Sequence, residues 1–171
     1  DCRVGNKKRF DFKEVRGFHD RYSKKDPSDV VVGVDVSGSM TEEQIRRILG
    51  EVYKLCESFS FHKITIYQYS HACYEPDICE KKEDILKIKV KGTGGTDVTS
   101  FLKRVEEDHV KPKLMIILSD GGDSYIQSND QRWAPQTKDK AIWVIYGMEQ
   151  SGHPWGKLVL IRDENDLLGN N

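Results

Sequence analysis

Apolar positions along this chain fall into short runs separated by polar turns, and the period of each run predicts an element. Val30-Val31-Val32-Gly33-Val34 is apolar on both alternations and ends at Asp35, which predicts a strand buried on both faces, as in a parallel sheet. Thr41 and Gln44 stand at capping-box spacing, and Glu42 and Glu43 suit the positive end of a helix. Ile45, Ile48, Leu49, Val52, Cys56 and Phe59 then recur at steps of three and four, predicting an amphipathic helix of about 18 residues with Arg46, Arg47, Glu51 and Lys54 facing water. Residues 64–69 alternate and read as a second strand; 70–84, with Pro76 and little periodicity, read as a loop. Residues 85–90 alternate apolar residues with Lys87 and Lys89, the pattern of a strand with one wet face, antiparallel or at an edge. A Gly-rich turn, 92–97, precedes a helix over 99–108 with Phe101, Leu102 and Val105 inward. Residues 114–118 and 141–146 read as buried strands and 156–161 as a last one. The stretch 124–139 is loop-like, and 164–168 is a short helical candidate in a polar tail.

Strands alternating with helices across short polar turns imply βαβ units around a mostly parallel sheet. The polar, basic stretch before Pro27 reads as an arm over residues 1–28; the domain occupies 29–162 and the tail 163–171. The full length of 171 residues suits a single domain, which buries roughly 70% of the surface its unfolded chain would expose. With 27 Lys and Arg against 28 Asp and Glu, the net charge of −1 argues against a broad nucleic-acid surface. No apolar stretch approaches the ~20 residues that cross a bilayer, 114–118 being a short strand's worth, and no basic-then-apolar leader is present, so no membrane partner is expected. Cys2, Cys56, Cys73 and Cys79 lack CxxC spacing and are too sparse for a disulfide scaffold, which points to reduced thiols and a cytoplasmic location. His71, Cys73 and Cys79 lack the tight pairing of zinc sites and read as loop residues with one buried thiol.

Ligands of such sheets bind at the carboxyl ends of the strands, a rule that selects three loops here. The first offers Asp35, Ser37 and Ser39, the second Thr96 and Asp97, and the third Asp120 with Asp123 nearby. Hydroxyls and carboxylates are hard donors suited to Mg²⁺, Mn²⁺ or Ca²⁺. In Asp-x-Ser-x-Ser, alternate residues of an extended turn can aim at one point, with Gly38 letting the backbone pass close and Gly94 and Gly95 doing the same for Thr96. Ser, Thr, Asp and Gly also build ordinary turns and helix caps, so no single loop decides the matter. Their conjunction at three strand ends of one sheet favours a metal. An ion held mainly by neutral hydroxyls keeps positive charge and attracts one more carboxylate from outside.

Asp35-Val36-Ser37-Gly38-Ser39 after a Val-rich strand resembles the metal-ion-dependent adhesion site of von Willebrand factor A (VWA) domains. The resemblance implies a doubly wound, Rossmann-like α/β fold, mostly parallel with one antiparallel edge strand. It assigns Asp35, Ser37, Ser39, Thr96 and Asp120 as metal ligands, with Gly38, Gly95, Asp97, Gly121 and Asp123 around them or facing a partner. A narrower likeness rests on Gly94-Gly95-Thr96-Asp97, on Trp143-Val144 in a strand followed by Gly147, and on His153-Pro154-Trp155-Gly156. These resemble the VWA-like region of a bacterial and phage family whose longer members carry a metallopeptidase-like region upstream and accompany MoxR-type AAA+ ATPases. No His-Glu-x-x-His occurs in this chain. The expected function is therefore a non-enzymatic module in which the ion bridges to an Asp or Glu of a partner protein; Tyr125, Trp133 and Trp155 could add apolar contact, although core packing is the commoner role for each.

The alternatives are a hydrolase or phosphotransferase using Asp35 and a structural domain with a non-functional site. In Asp-x-Asp enzymes the second acid is the general acid; Ser37 stands in that place. No GxxxxGK[ST] supports a phosphate-binding loop, and His62 and His109 fall at helix-strand junctions.

Overall fold

The computed structural model describes residues 30–58, 63–92, 94–122, 140–146 and 155–161. The basic arm, the tail, Asp123, Tyr125, Trp133 and His153 lie outside them. β1 (Val30–Asp35), α1 (Glu42–Ser58), β2 (Ile64–Tyr69), β3 (Asp77–Cys79), α2 (Lys82–Ile85), α3 (Val98–Glu107), β4 (Leu114–Ser119), β5 (Ala141–Tyr146) and β6 (Lys157–Ile161) follow in chain order. The strands form one sheet in the order β3-β2-β1-β4-β5-β6. All neighbours are parallel except β2 and β3. The architecture is a doubly wound α/β sheet with one antiparallel edge strand.

Both faces of the central strands are covered, which is why their sequences run apolar without a break. Val30, Val32, Val34, Ile64, Ile66, Ile116 and Val144 pack on one side with Ile45, Ile48, Leu49 and Val52 of α1 and with Ile85 and Ile88. The opposite side joins Val31, Tyr67, Tyr69, Met115, Ile117, Trp143 and Ile145 to Val98, Phe101, Leu102 and Val105 of α3. Here Gly33 has a steric purpose. A Cβ on it would stand 2.6 Å from the Phe101 ring, so the missing side chain is the seat into which α3 settles. Tyr69 stacks on that ring with centroids 5.7 Å apart, and Tyr67 tilts against it at 5.6 Å. Trp155 is buried edge-on against Trp143 at 5.2 Å, which makes it a core residue and not a surface contact.

The capping box forms as its spacing predicts: Thr41 N–H donates to Gln44 Oε1 at 2.9 Å and Gln44 N–H to Thr41 Oγ1 at 3.1 Å. The edge strand is the main correction. Residues 85–90 make no strand, and β3 lies instead at Asp77–Cys79, inside the stretch read as a loop. The alternation there did report burial, since Ile88 is buried while Lys87 and Lys89 are exposed. Side chains, not a neighbouring strand, hold that backbone: Arg46 Nη1 donates to Ile88 O at 2.6 Å, and Gln68 Nε2 to Lys89 O at 2.9 Å.

Candidate functional site

The parallel order sets the carboxyl ends of β1, β2 and β4 side by side, and the turns that leave them meet there. Asp35, the last residue of β1, is fully buried. Its Oδ1 accepts from Ser37 N–H at 2.8 Å and its Oδ2 from Ser119 Oγ at 2.9 Å. Ser37 Oγ and Ser39 Oγ lie 3.0 Å apart, Ser37 buried and Ser39 at the surface. Met40 N–H closes the turn on Ser37 O at 3.0 Å. Alternate residues thus bring a carboxylate and two hydroxyls together, as the Asp-x-Ser-x-Ser spacing predicts.

The third loop arrives through Ser119. Its hydroxyl spans two loops, donating to Asp35 and accepting from Gly121 N–H at 3.2 Å. Gly121 is buried with φ +81°, a conformation suited to glycine. Asp120 is half-buried, and its Oδ1 accepts from Gly122 N–H at 2.9 Å. Burial pushes the Asp35 carboxyl above the usual range; bonds from Ser37 and Ser119 pull it back, and the negative charge of Asp120 raises it further.

The second loop is tied to the first by one backbone bond, Gly38 N–H to Gly94 O at 3.0 Å. Thr96 is half-buried two residues on. Asp97 caps α3, its Oδ1 accepting from Thr99 N–H at 2.9 Å, so its carboxylate fixes the helix start that follows Thr96. Gly94 has φ +149°, and a Cβ there would meet His71 Nδ1 at 3.0 Å. Within the chain, a Cβ on Gly38 or Gly95 would find only ordinary contact at 3.8 Å.

Asp35, Ser37, Ser39 and the Ser119-Asp120 corner are therefore joined by direct bonds, and Thr96 follows two residues after Gly94, whose carbonyl is tied to Gly38. Ser119 was missed as a site residue, although a hydroxyl at the last position of an all-apolar strand was visible. Ser70 and Gln68 were missed too, and both are buried polar residues at the end of β2. Cys73 and Cys79 are free thiols, Cys79 buried on β3, and His71 is exposed. No three His, Cys, Asp or Glu side chains cluster as a metal set among the described residues.

The donors at this corner are two carboxylates and hydroxyls, a hard-oxygen set. Among the described residues no Lys, Arg or His makes an ion pair with Asp35. A buried carboxylate without a countercharge is costly when ionised, and a divalent cation beside Ser37 and Ser39 is a chemical fit for it.

Residues 30–162 match the model of a family described as VWA-like domain (DUF2201). The chain belongs to that family. Solved structures with the same fold accompany this VWA-like domain. The conserved hypothetical protein BatB from Bacteroides thetaiotaomicron superposes with a TM-score of 0.60 at 10% identity, over 81% of this chain and 92% of BatB. The ArnB paralog VWA2 from Sulfolobus acidocaldarius gives 0.55 at 19% identity, over 85% of this chain and 44% of that one. An aerotolerance-related membrane protein from Bacteroides fragilis gives 0.51 at 13% identity, over 80% and 77%. At these identities the likeness is one of fold. No curated protein sequence matches the VWA-like domain. Among its described residues no helix is long and apolar enough to cross a membrane.

Proposed function

We propose that this VWA-like domain is a non-enzymatic, metal-dependent protein-binding module. A divalent cation, Mg²⁺ or in its place Mn²⁺ or Ca²⁺, would be held by Asp35, Ser37 and Ser39, with Thr96 and Asp120 completing the set. The observation that carries the reading is the buried Asp35 carboxylate, bonded from two loops and set beside the paired Ser37 and Ser39 hydroxyls. When bound, the ion supplies positive charge that two serines leave largely unneutralised, and an Asp or Glu of a partner protein completes its shell. Asp123 belongs to the partner-facing side in this reading. The narrower likeness makes a MoxR-type AAA+ ATPase the partner class to try first, in a reducing, cytoplasmic setting.

Calorimetry with Mg²⁺ tests the ion, with Asp35→Ala as the control. Binding is expected in the wild type and none in the variant. At a Mg²⁺ concentration 100 times Kd, the ion should stabilise the fold by about 2.7 kcal/mol. A wild type that takes up none of Mg²⁺, Mn²⁺ and Ca²⁺ would sink the reading. So would turnover of a generic phosphate ester that Asp35→Ala abolishes.

A further inference from the structure

The connection from Ile88 to Asp97 carries Thr96, yet its described residues belong to no strand and meet the first loop through the bond from Gly38 N–H to Gly94 O. What holds it is concentrated at the end of β2. Gln68 is only 2% exposed, an unusual place for a primary amide unless both of its ends are bonded. Both are: Nε2 donates to Lys89 O at 2.9 Å, and Oε1 accepts from Lys91 N–H at 2.7 Å. A residue in a parallel ladder engages this same pair on its neighbour, the carbonyl on one side of the facing residue and the N–H on the other. β3 pairs with β2 only from Ile64 to Ile66, and beyond that point the chain turns back on β2, with Tyr74 N–H donating to Gln68 O at 2.9 Å. The Gln68 backbone is thus engaged by that turn, while its side chain grips the backbone of 89–91 in the manner of a ladder residue.

Two residues on, Ser70 O accepts from Asp97 N–H at 2.8 Å, and Ser70 Oγ lies 3.2 Å from Tyr74 Oη. The Tyr74 hydroxyl fills the space where Gly92, at φ +70°, would carry a Cβ. The connection is thus clamped at 89–91 by Gln68 and at 97 by Ser70, and between the clamps Gly94 O receives Gly38 N–H.

We propose that Gln68 is a positioning residue of the cation site: its buried amide grips the backbone at Lys89 and Lys91 and so sets Gly94 and Thr96 against the first loop. This rests on the binding-module reading for its effect on the ion, and on the bonds above for its effect on the loop. Gln68→Met removes both bonds at similar volume and leaves Asp35, Ser37, Ser39, Thr96 and Asp120 unchanged.

Two measurements on the full chain test it. In amide hydrogen exchange without metal, Gly38 and Asp97 should exchange at least ~10-fold faster in Gln68→Met, while Val32 and Ile116 in the central strands keep their protection. In Mg²⁺ calorimetry, Gln68→Met should weaken binding by about 10-fold or more, the scale of losing a residue that orients a ligand. In a Thr96→Ala background the same change should cost less than about 2-fold, because Gln68 acts through Thr96. Unchanged exchange at Gly38 and Asp97 overturns the proposal, and so do losses of affinity that simply add. A wild type that binds no Mg²⁺ removes the binding-module reading, and the exchange rates then decide the positioning role alone. If Gln68→Met fails to fold, Gln68→Glu keeps the acceptor for Lys91 N–H but not the donor to Lys89 O, and is judged by the same measurements.

Discussion

The Asp35–Met40 turn and the Ile88–Asp97 connection reach the same corner of the sheet by opposite means. The first carries three contacts of its own, Ser37 N–H on Asp35, Met40 N–H on Ser37 and Ser37 beside Ser39, besides its ties to Tyr69, Gly94 and Ser119. The second is fixed from elsewhere, by Arg46 on α1, by Gln68 and Ser70 on β2, and by the seat of α3 over Gly33. A local turn keeps its shape when distant packing is disturbed. A turn held at a distance inherits every disturbance of the elements that hold it.

The widest break between them should come from Phe101→Ala. Emptying the Gly33 seat is expected to cost about 3–5 kcal/mol in denaturant unfolding, as for other buried aromatics. In the surviving native state, exchange should accelerate at Asp97 before it does at Ser37. Equal acceleration at both would mean that the turns are not held separately.

Glycine substitutions sharpen the contrast. Gly94→Ala forces an L residue to φ +149° against His71 and should cost about 1–3 kcal/mol. Gly38→Ala, whose Cβ meets only Gly94 O at 3.8 Å, should fall within about 0.5 kcal/mol of wild type. Paired thermal melts check both.

Alkaline pH probes the platform under the distant turn. Burial pushes the Cys79 thiol up to about 11 from 9.0, so the folded state holds this proton more tightly than the unfolded chain does. Its contribution is complete below pH 9 and is lost as pH rises from 9 to 11, by roughly 3 kcal/mol at most. Cys79→Ala should show a flatter stability profile across that window, and identical slopes would refute the assignment.

A modest effect belongs to the local side. Thr41→Ala removes one arm of the capping box and should cost about 1 kcal/mol in thermal unfolding. Exchange at Asp97 should stay as it was; a faster rate there would show that the two turns are coupled through α1.

Periodicity and turn chemistry carried most of the architecture. β1, β2, β4 and β5 were legible because buried parallel strands must be apolar on both faces, and α1 because its stripe repeats over several turns. The edge strand was not. Three residues, Asp77-Ile78-Cys79, are too few to show a period, while residues 85–90 showed the period of a strand because burial alternates there without a ladder. At the site, Asp35, Ser37 and Ser39 could be grouped because spacing within one turn is a local property.

The sequence alone determined the buried parallel strands, the amphipathic helices and the identity of the oxygen-bearing turns, since each depends on neighbours within a few residues along the chain. Only the tertiary structure decided where the edge strand lies, that Ser119 spans two loops, that a glutamine side chain grips a distant backbone, and that Gly33 seats a helix. The last three join residues 21 to 84 positions apart, held by hydrogen bonds and contacts that leave no period in the chain.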